Sequence, residues 1–340
     1  MTGPIRAFVC GCASLELADG ECRFIEATQP WGLILFKRNV GSPDQLRALT
    51  KRFRECVGRS DAPVLVDQEG GRVQRLGAPL WSPYPAAAIY QSLGSEQTTG
   101  EAAELGGRLI ATDLREAGIT VDCAPVLDVP VPDVTPAIGS RAFGPDPDTV
   151  ARLGHAFARG LLGGGVLPVI KHMPGHGRAV VDSHYELPVV TAGRRELEAV
   201  DFAPFRALRD LPIAMTAHVV FTAIDPQRPA TTSAIVIRSI IREWIGFEGL
   251  LISDDLSMEA LKGSLGERAS AAAEAGCDIL LHCNGKLDEA MAVAAQAKPL
   301  EGLVAGRAER ALDLVADHRL DCGSEDNDRQ RFATLTASAA

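Results

Sequence analysis

Six short apolar runs in this sequence end on ionisable side chains. LVDQEGGR carries Asp67, APVLDV carries Asp128, VIKHMPGHG carries Lys171 and His172, MTAHVVF carries His218, LISDDLS carries Asp254 and Asp255, and LLHCN carries His282 with Asn284. Carboxylates accept from hydroxyls or act as nucleophiles, Lys and Arg donate to oxygens, and histidine exchanges protons near neutrality. A single such residue is often a satisfied structural group, but six at comparable positions predict a ligand or catalytic site. Asp182 and His184, in GRAVVDSH, point the same way if that segment is extended. An isolated D-x-H is a weak signal, and a solvated loop histidine is its bland reading. His172 and His176 have the spacing of a zinc pair on a helix, yet HMPGH contains Pro and Gly and predicts an irregular segment with no metal.

Short β-rich runs alternate with longer helical patterns, and these elements must position the residues above. Strands are predicted near 5–12, 32–36, 63–67, 120–128, 166–172, 212–219, 249–254 and 278–283. Helices are predicted near 19–28, 43–57, 95–117, 147–162, 194–210, 233–245, 264–275, 286–297 and 301–317. The strands, such as WGLILF and GLLIS, are near-continuously apolar, as in a parallel sheet covered on both faces. Eight βα units predict a single (β/α)₈ TIM-type barrel. An open doubly wound sheet often carries a glycine-rich phosphate turn after its first strand, and GCASLELADG has none. In a barrel the strand ends named above share one mouth. Residues 1–320 are predicted to form the barrel, and the polar segment 321–340 a frayed, flexible tail.

The 340 residues carry a net charge of −10, with 46% hydrophobic residues and no dense Lys/Arg run, which argues against a nucleic-acid partner. No stretch of 18 apolar residues predicts a membrane span, and MTGPIRAFVCGCASLE reads as a first strand rather than a signal peptide. The eight cysteines lie partly in apolar runs and include no CxxC pair, which fits reduced thiols and a cytoplasmic location.

DQEGGRVQRL (67–76), SRAFG (140–144), KHMPGHGRAVVDSH (171–184) and SDDLSM (253–258) together resemble the motifs of glycoside hydrolase family 3. The similarity runs from about Ala7 to Asn284 and is strongest to its single-domain bacterial β-N-acetylhexosaminidases (β-N-acetylglucosaminidases) of peptidoglycan recycling. Met173 stands where that family often has Phe. The resemblance implies a retaining exo-glycosidase with Asp254 as nucleophile, His184 as general acid/base and Asp182 as its orienter. It further implies that Asp67, Arg75, Arg141, Lys171 and His172 hold the terminal sugar. Structural roles remain open: Arg75 could pair with Glu69, and Asp255 suits a helix cap better than catalysis. The expected substrate is a small carbohydrate or muropeptide, with no cofactor or metal, no membrane partner and a monomeric state. The alternatives are a different family-3 specificity such as β-glucosidase, a catalytically inert sugar-binding barrel, and a metal-dependent amidohydrolase-like barrel.

Overall fold

The computed structural model describes residues 3–131, 138–181, 183, 186–316 and 325–337. Eight parallel strands form its centre: β1 (Arg6–Gly11), β2 (Pro30–Leu35), β3 (Val64–Val66), β4 (Val121–Asp122), β5 (Leu167–Met173), β6 (Ile213–Thr216), β7 (Leu250–Ile252) and β8 (Leu280–His282). Neighbours in sequence pair in order, and β1 pairs with β8. A parallel bridge between Ile252 and Ile279 joins β7 to β8, so the sheet closes on itself. This is the (β/α)₈ barrel that the alternating pattern predicted. The β2, β3, β5, β6, β7 and β8 strands are buried along their whole length, which explains their lack of polar alternation.

Helices α1 (Asp19–Thr28), α2 (Pro43–Val57), α3 (Glu96–Glu116), α4 (Pro147–Gly163), α5 (Leu265–Ala275), α6 (Leu287–Gln296) and α7 (Gly302–Ala316) lie around the barrel within two residues of their predicted bounds. Their starts are chemically marked. The side chains of Ser42, Ser95, Asp146 and Ser264 accept from backbone N–H groups of the first turn, and Pro43 and Pro147 occupy first-turn positions that need no donor.

Three expectations change. The predicted helix 194–210 is two short helices, Arg194–Ala199 and Ala203–Ala207, because Pro204 supplies no N–H and starts a helix rather than continuing one. Residues Val236–Ile245 wind in a π register and close on Gly246, whose N–H donates to Ile241 O. The segment predicted as a frayed tail carries helix α8 (Glu325–Thr336), docked on α3. Phe332 supplies its buried contact and Arg329 pairs with Asp113 (2.8 Å), while Arg331 makes an outward, exposed pair with Glu101 (2.6 Å).

Candidate active site

At the C-terminal end of the strands lies a cavity of about 280 Å³. Asp67, Arg75, Arg141, Lys171, His172 and Asp254 all line it, so six of the eight residues to which the family resemblance assigns roles converge at one mouth. The other two, Asp182 and His184, lie outside the described residues. Ser183, which separates them in the chain, lines the cavity.

Lys171 sits at the end of β5, only 2% exposed, and donates to Asp67 (2.8 Å) and Glu69 (2.7 Å). Arg75 pairs with Asp67 at 2.9 Å, and Arg141 pairs with Glu69 at 2.7 Å. The pairing of Arg75 with Glu69, weighed from sequence, is therefore replaced by a crossed arrangement. Lys171 stands between two carboxylates, each of which has its own arginine. Burial alone would raise the carboxyl of Asp67, but Lys171 and then Arg75 hold it far below the ordinary carboxylate range. The same opposition, with Lys171 and Arg141, brings Glu69 down to about 2. Burying such a cluster costs desolvation energy that well-packed apolar residues would not. Its fixed donors and acceptors suit vicinal hydroxyls.

Local sequence explains how these groups are held. After Asp67 the chain turns through Gly70 (φ 90°) and Gly71 (φ 56°), conformations that favour glycine. A Cβ on Gly70 would meet Pro85 O at 2.3 Å. The amide of buried Gln68 then ties the returning strand: Oε1 accepts from the backbone N–H of Arg75 (2.8 Å) and Leu76 (3.0 Å), while Nε2 donates to Leu76 O (2.7 Å). The guanidinium of Arg75 lies 5.2 Å from the centroid of the Phe36 ring.

His172 faces the cavity through a different support. Its Nδ1 is 2.7 Å from Asp128 Oδ2, and an ionised carboxylate accepts there, which leaves Nε2 for a ligand. Asp128 Oδ1 accepts from the backbone N–H of His172 (3.2 Å) and His176 (2.7 Å). Asp128 is fully buried and braces the histidine segment rather than lining the cavity. His176 follows the strand in a loop, so the two histidines do not form a helical metal pair. Its Nε2 is 3.1 Å from Ser183 Oγ, and burial, followed by the nearby His172, pushes its pKa down to about 4.

Asp254 follows β7. Its N–H donates to Thr216 Oγ1 (3.2 Å) and its Oδ1 accepts from the N–H of Asp255 (2.8 Å). Asp255 turns the chain by accepting from Ser257 N (3.0 Å) and Oγ (2.7 Å), and it also accepts from Cys283 N (3.1 Å). The buried His218 holds this turn from behind, with Nε2 2.9 Å from Asp255 O and Nδ1 2.7 Å from Thr231 Oγ1. A carbonyl oxygen can only accept, so His218 carries its proton on Nε2. His282 and Asn284 turn away to Glu289. Four strand-end residues read as ligand groups from sequence (Asp128, His218, His282 and Asn284) are therefore braces or structural pairs. Glu69 and Arg72 line or support the mouth without having been named as ligand groups. The only sequence signal for Glu69 was its place two residues after Asp67. Among the described residues no group of three His, Cys, Asp or Glu side chains gathers as a metal site, and no helix is long and apolar enough to cross a membrane.

Residues 14–314 match the glycosyl hydrolase family 3 N-terminal domain. A curated relative, the β-hexosaminidase of Alkalilimnicola ehrlichii, is 40% identical over 294 residues, covering 84% of this chain and 81% of the relative. The crystal structure of native NagZ from Neisseria gonorrhoeae superposes with a TM-score of 0.85 at 33% identity and covers 98% of each chain. The same protein in complex with N-trifluoroacetyl-D-glucosamine gives a TM-score of 0.85 at 32% identity over 99% of each chain. A closed barrel with a charged, ion-paired mouth and this match define a glycoside hydrolase. The chain belongs to glycosyl hydrolase family 3, and within it to the β-hexosaminidases.

Proposed function

We propose that this hydrolase removes terminal β-linked N-acetylglucosamine with retention of configuration, and that its physiological substrate is a GlcNAc–1,6-anhydro-MurNAc muropeptide from cell-wall turnover. The convergence of Asp254 with the Asp67–Lys171–Glu69 ion-pair cluster in one small cavity is the observation that carries this reading. Asp67, Arg75, Arg141, Lys171 and His172 hold the hydroxyls of the sugar. Asp254 attacks the anomeric carbon and forms a glycosyl-enzyme while His184, oriented by Asp182, gives its proton to the departing oxygen. In the second step His184 takes a proton from water, whose oxygen displaces Asp254 and releases the sugar. Ser183, which separates Asp182 from His184 in the chain, lines the cavity, and this supports the reading. No cofactor enters these steps.

The likeness to a protein whose crystal structure holds a substituted glucosamine supports an amino-sugar specificity. Seven buried free thiols among the described residues support a reducing, cytoplasmic setting, and the enzyme acts there as a monomer. Paired aryl β-N-acetylglucosaminide and β-glucoside substrates test the assignment. Efficient turnover of the first and little of the second is expected, and a preference for the glucoside would overturn it.

A further inference from the structure

We propose that helix α8 is a positioning element of the active site, in which Arg329 and Phe332 aim the two sugar-facing arginines, Arg75 and Arg141. The inference rests on the reading of those arginines as sugar-holding residues. The helix lies beyond residue 314, where the match to the family domain ends.

Between Gly71 and Ala86 the chain arches over the barrel mouth with only Val73–Gln74 in a strand, so side chains must hold its shape. Arg329 reaches this arch from α8. Its Nη1 donates to Ser82 Oγ (3.2 Å) and its Nη2 to Asp113 Oδ1 (2.8 Å) on α3. The other oxygen of Asp113 accepts from the Tyr84 hydroxyl at 2.7 Å. Ser82 and Tyr84 in turn grip the amide of Gln74: Nε2 donates to Ser82 O (2.7 Å), and Oε1 accepts from Tyr84 N (3.0 Å). Gln74 immediately precedes Arg75. A guanidinium on the C-terminal helix is thus linked to the base of a cavity-lining arginine through hydrogen bonds and the covalent frames of Ser82, Tyr84 and Gln74.

The second link is aromatic. Phe332 lies 6.3 Å from Tyr84 and 6.5 Å from Tyr90, measured between ring centroids. Tyr90 lies 6.0 Å from Phe143, two residues after Arg141. Helix α3 leaves room for this cluster at Gly106, where a Cβ would meet the Tyr90 hydroxyl at 2.3 Å and Phe332 Cε2 at 3.3 Å. The one buried side chain of α8 therefore touches both the arch behind Arg75 and the cluster behind Arg141. Packed side chains of this kind transmit small displacements, because interiors have little free volume. Misaligned donors weaken substrate binding without removing the nucleophile.

The test compares Arg329→Gln and Phe332→Leu in the full chain, with circular dichroism to confirm folding. On an aryl β-N-acetylglucosaminide, KM and the Kd for N-acetylglucosamine should each rise about tenfold while kcat stays within about twofold. Arg329→Lys should recover part of the loss, and Ser82→Ala, which leaves the helix untouched, should raise KM about threefold. Arg331→Ala, which breaks only the outward pair with Glu101, should match wild type. Folded Arg329→Gln and Phe332→Leu proteins with unchanged KM, or with kcat lost and KM retained, would overturn the proposal, as would an unchanged KM in Ser82→Ala should both helix variants fail to fold. Arg75→Ala separates the two levels of the argument. If it leaves KM unchanged, the sugar-holding reading fails; if it raises KM while the helix variants do not, the bracing role alone fails.

Discussion

Lys171→Met removes the cation shared by Asp67 and Glu69 while keeping most of the side-chain volume. The Lys171 ammonium is buried and lies 2.8 Å from Asp67 and 2.7 Å from Glu69. Breaking a buried pair costs roughly 3–5 kcal/mol, and the lower end applies here because Arg75 and Arg141 remain and one buried charge disappears. The carboxyl of Glu69 points the same way: burial would raise it, but Lys171 and Arg141 hold it at about 2, below the ordinary glutamate range. Since the folded value is depressed, the stability it contributes is present above about pH 4.5 and is lost as pH falls toward 2. Urea unfolding of wild type and Lys171→Met should therefore differ by about 3 kcal/mol at pH 7 and by less at pH 3. Binding of N-acetylglucosamine, followed by calorimetry, should weaken about 10- to 100-fold, as expected for a lost charged hydrogen bond. Equal urea midpoints for the two proteins at pH 7 would refute the coupling, and an unchanged sugar affinity would remove Lys171 from the binding set.

Asp254→Asn should reduce turnover by at least about 10³-fold with no measurable change in thermal midpoint, because the carboxylate acts on the reaction path; near-normal turnover of pure protein would exclude it as nucleophile. His184→Ala should slow first-turnover hydrolysis of a disaccharide about 10²–10⁴-fold and affect an activated aryl glycoside much less, since only the poor leaving group needs a proton. Asp182→Asn should show a weaker version of that contrast, and equal losses on both substrates would assign His184 to loop shape or sugar binding. His176, whose pKa is pushed down to about 4, binds its proton in the unfolded chain first, so stability should fall as pH drops from about 6.5 to 4. His176→Asn should flatten that part of a pH–stability curve, and an unaltered curve would show that the ring is not buried in its neutral form.

The linear sequence determined the barrel and the location of its mouth. Apolar runs such as WGLILF can satisfy only strands covered on both faces, and their regular alternation with capped helices leaves few topologies. It also marked Asp67, Lys171, His172 and Asp254, because each closes such a run. It could not separate these from His218, His282 and Asn284. All of them close strands at the same end of the barrel, and only the packing of neighbouring strands and loops decides which face the cavity and which brace it. Nor could it pair Arg75 with Asp67 and Arg141 with Glu69. Lys171 meets carboxylates about a hundred positions earlier in the chain, and only closure of the barrel brings β3 and β5 to the same mouth. The C-terminal segment shows the same limit in another form. Its sequence has one large apolar side chain that becomes buried, Phe332, too little to announce an amphipathic helix. That segment becomes α8 because α3 presents Asp113 to Arg329 and a gap at Gly106 that admits Phe332 beside Tyr90, a surface that exists only after the barrel has folded.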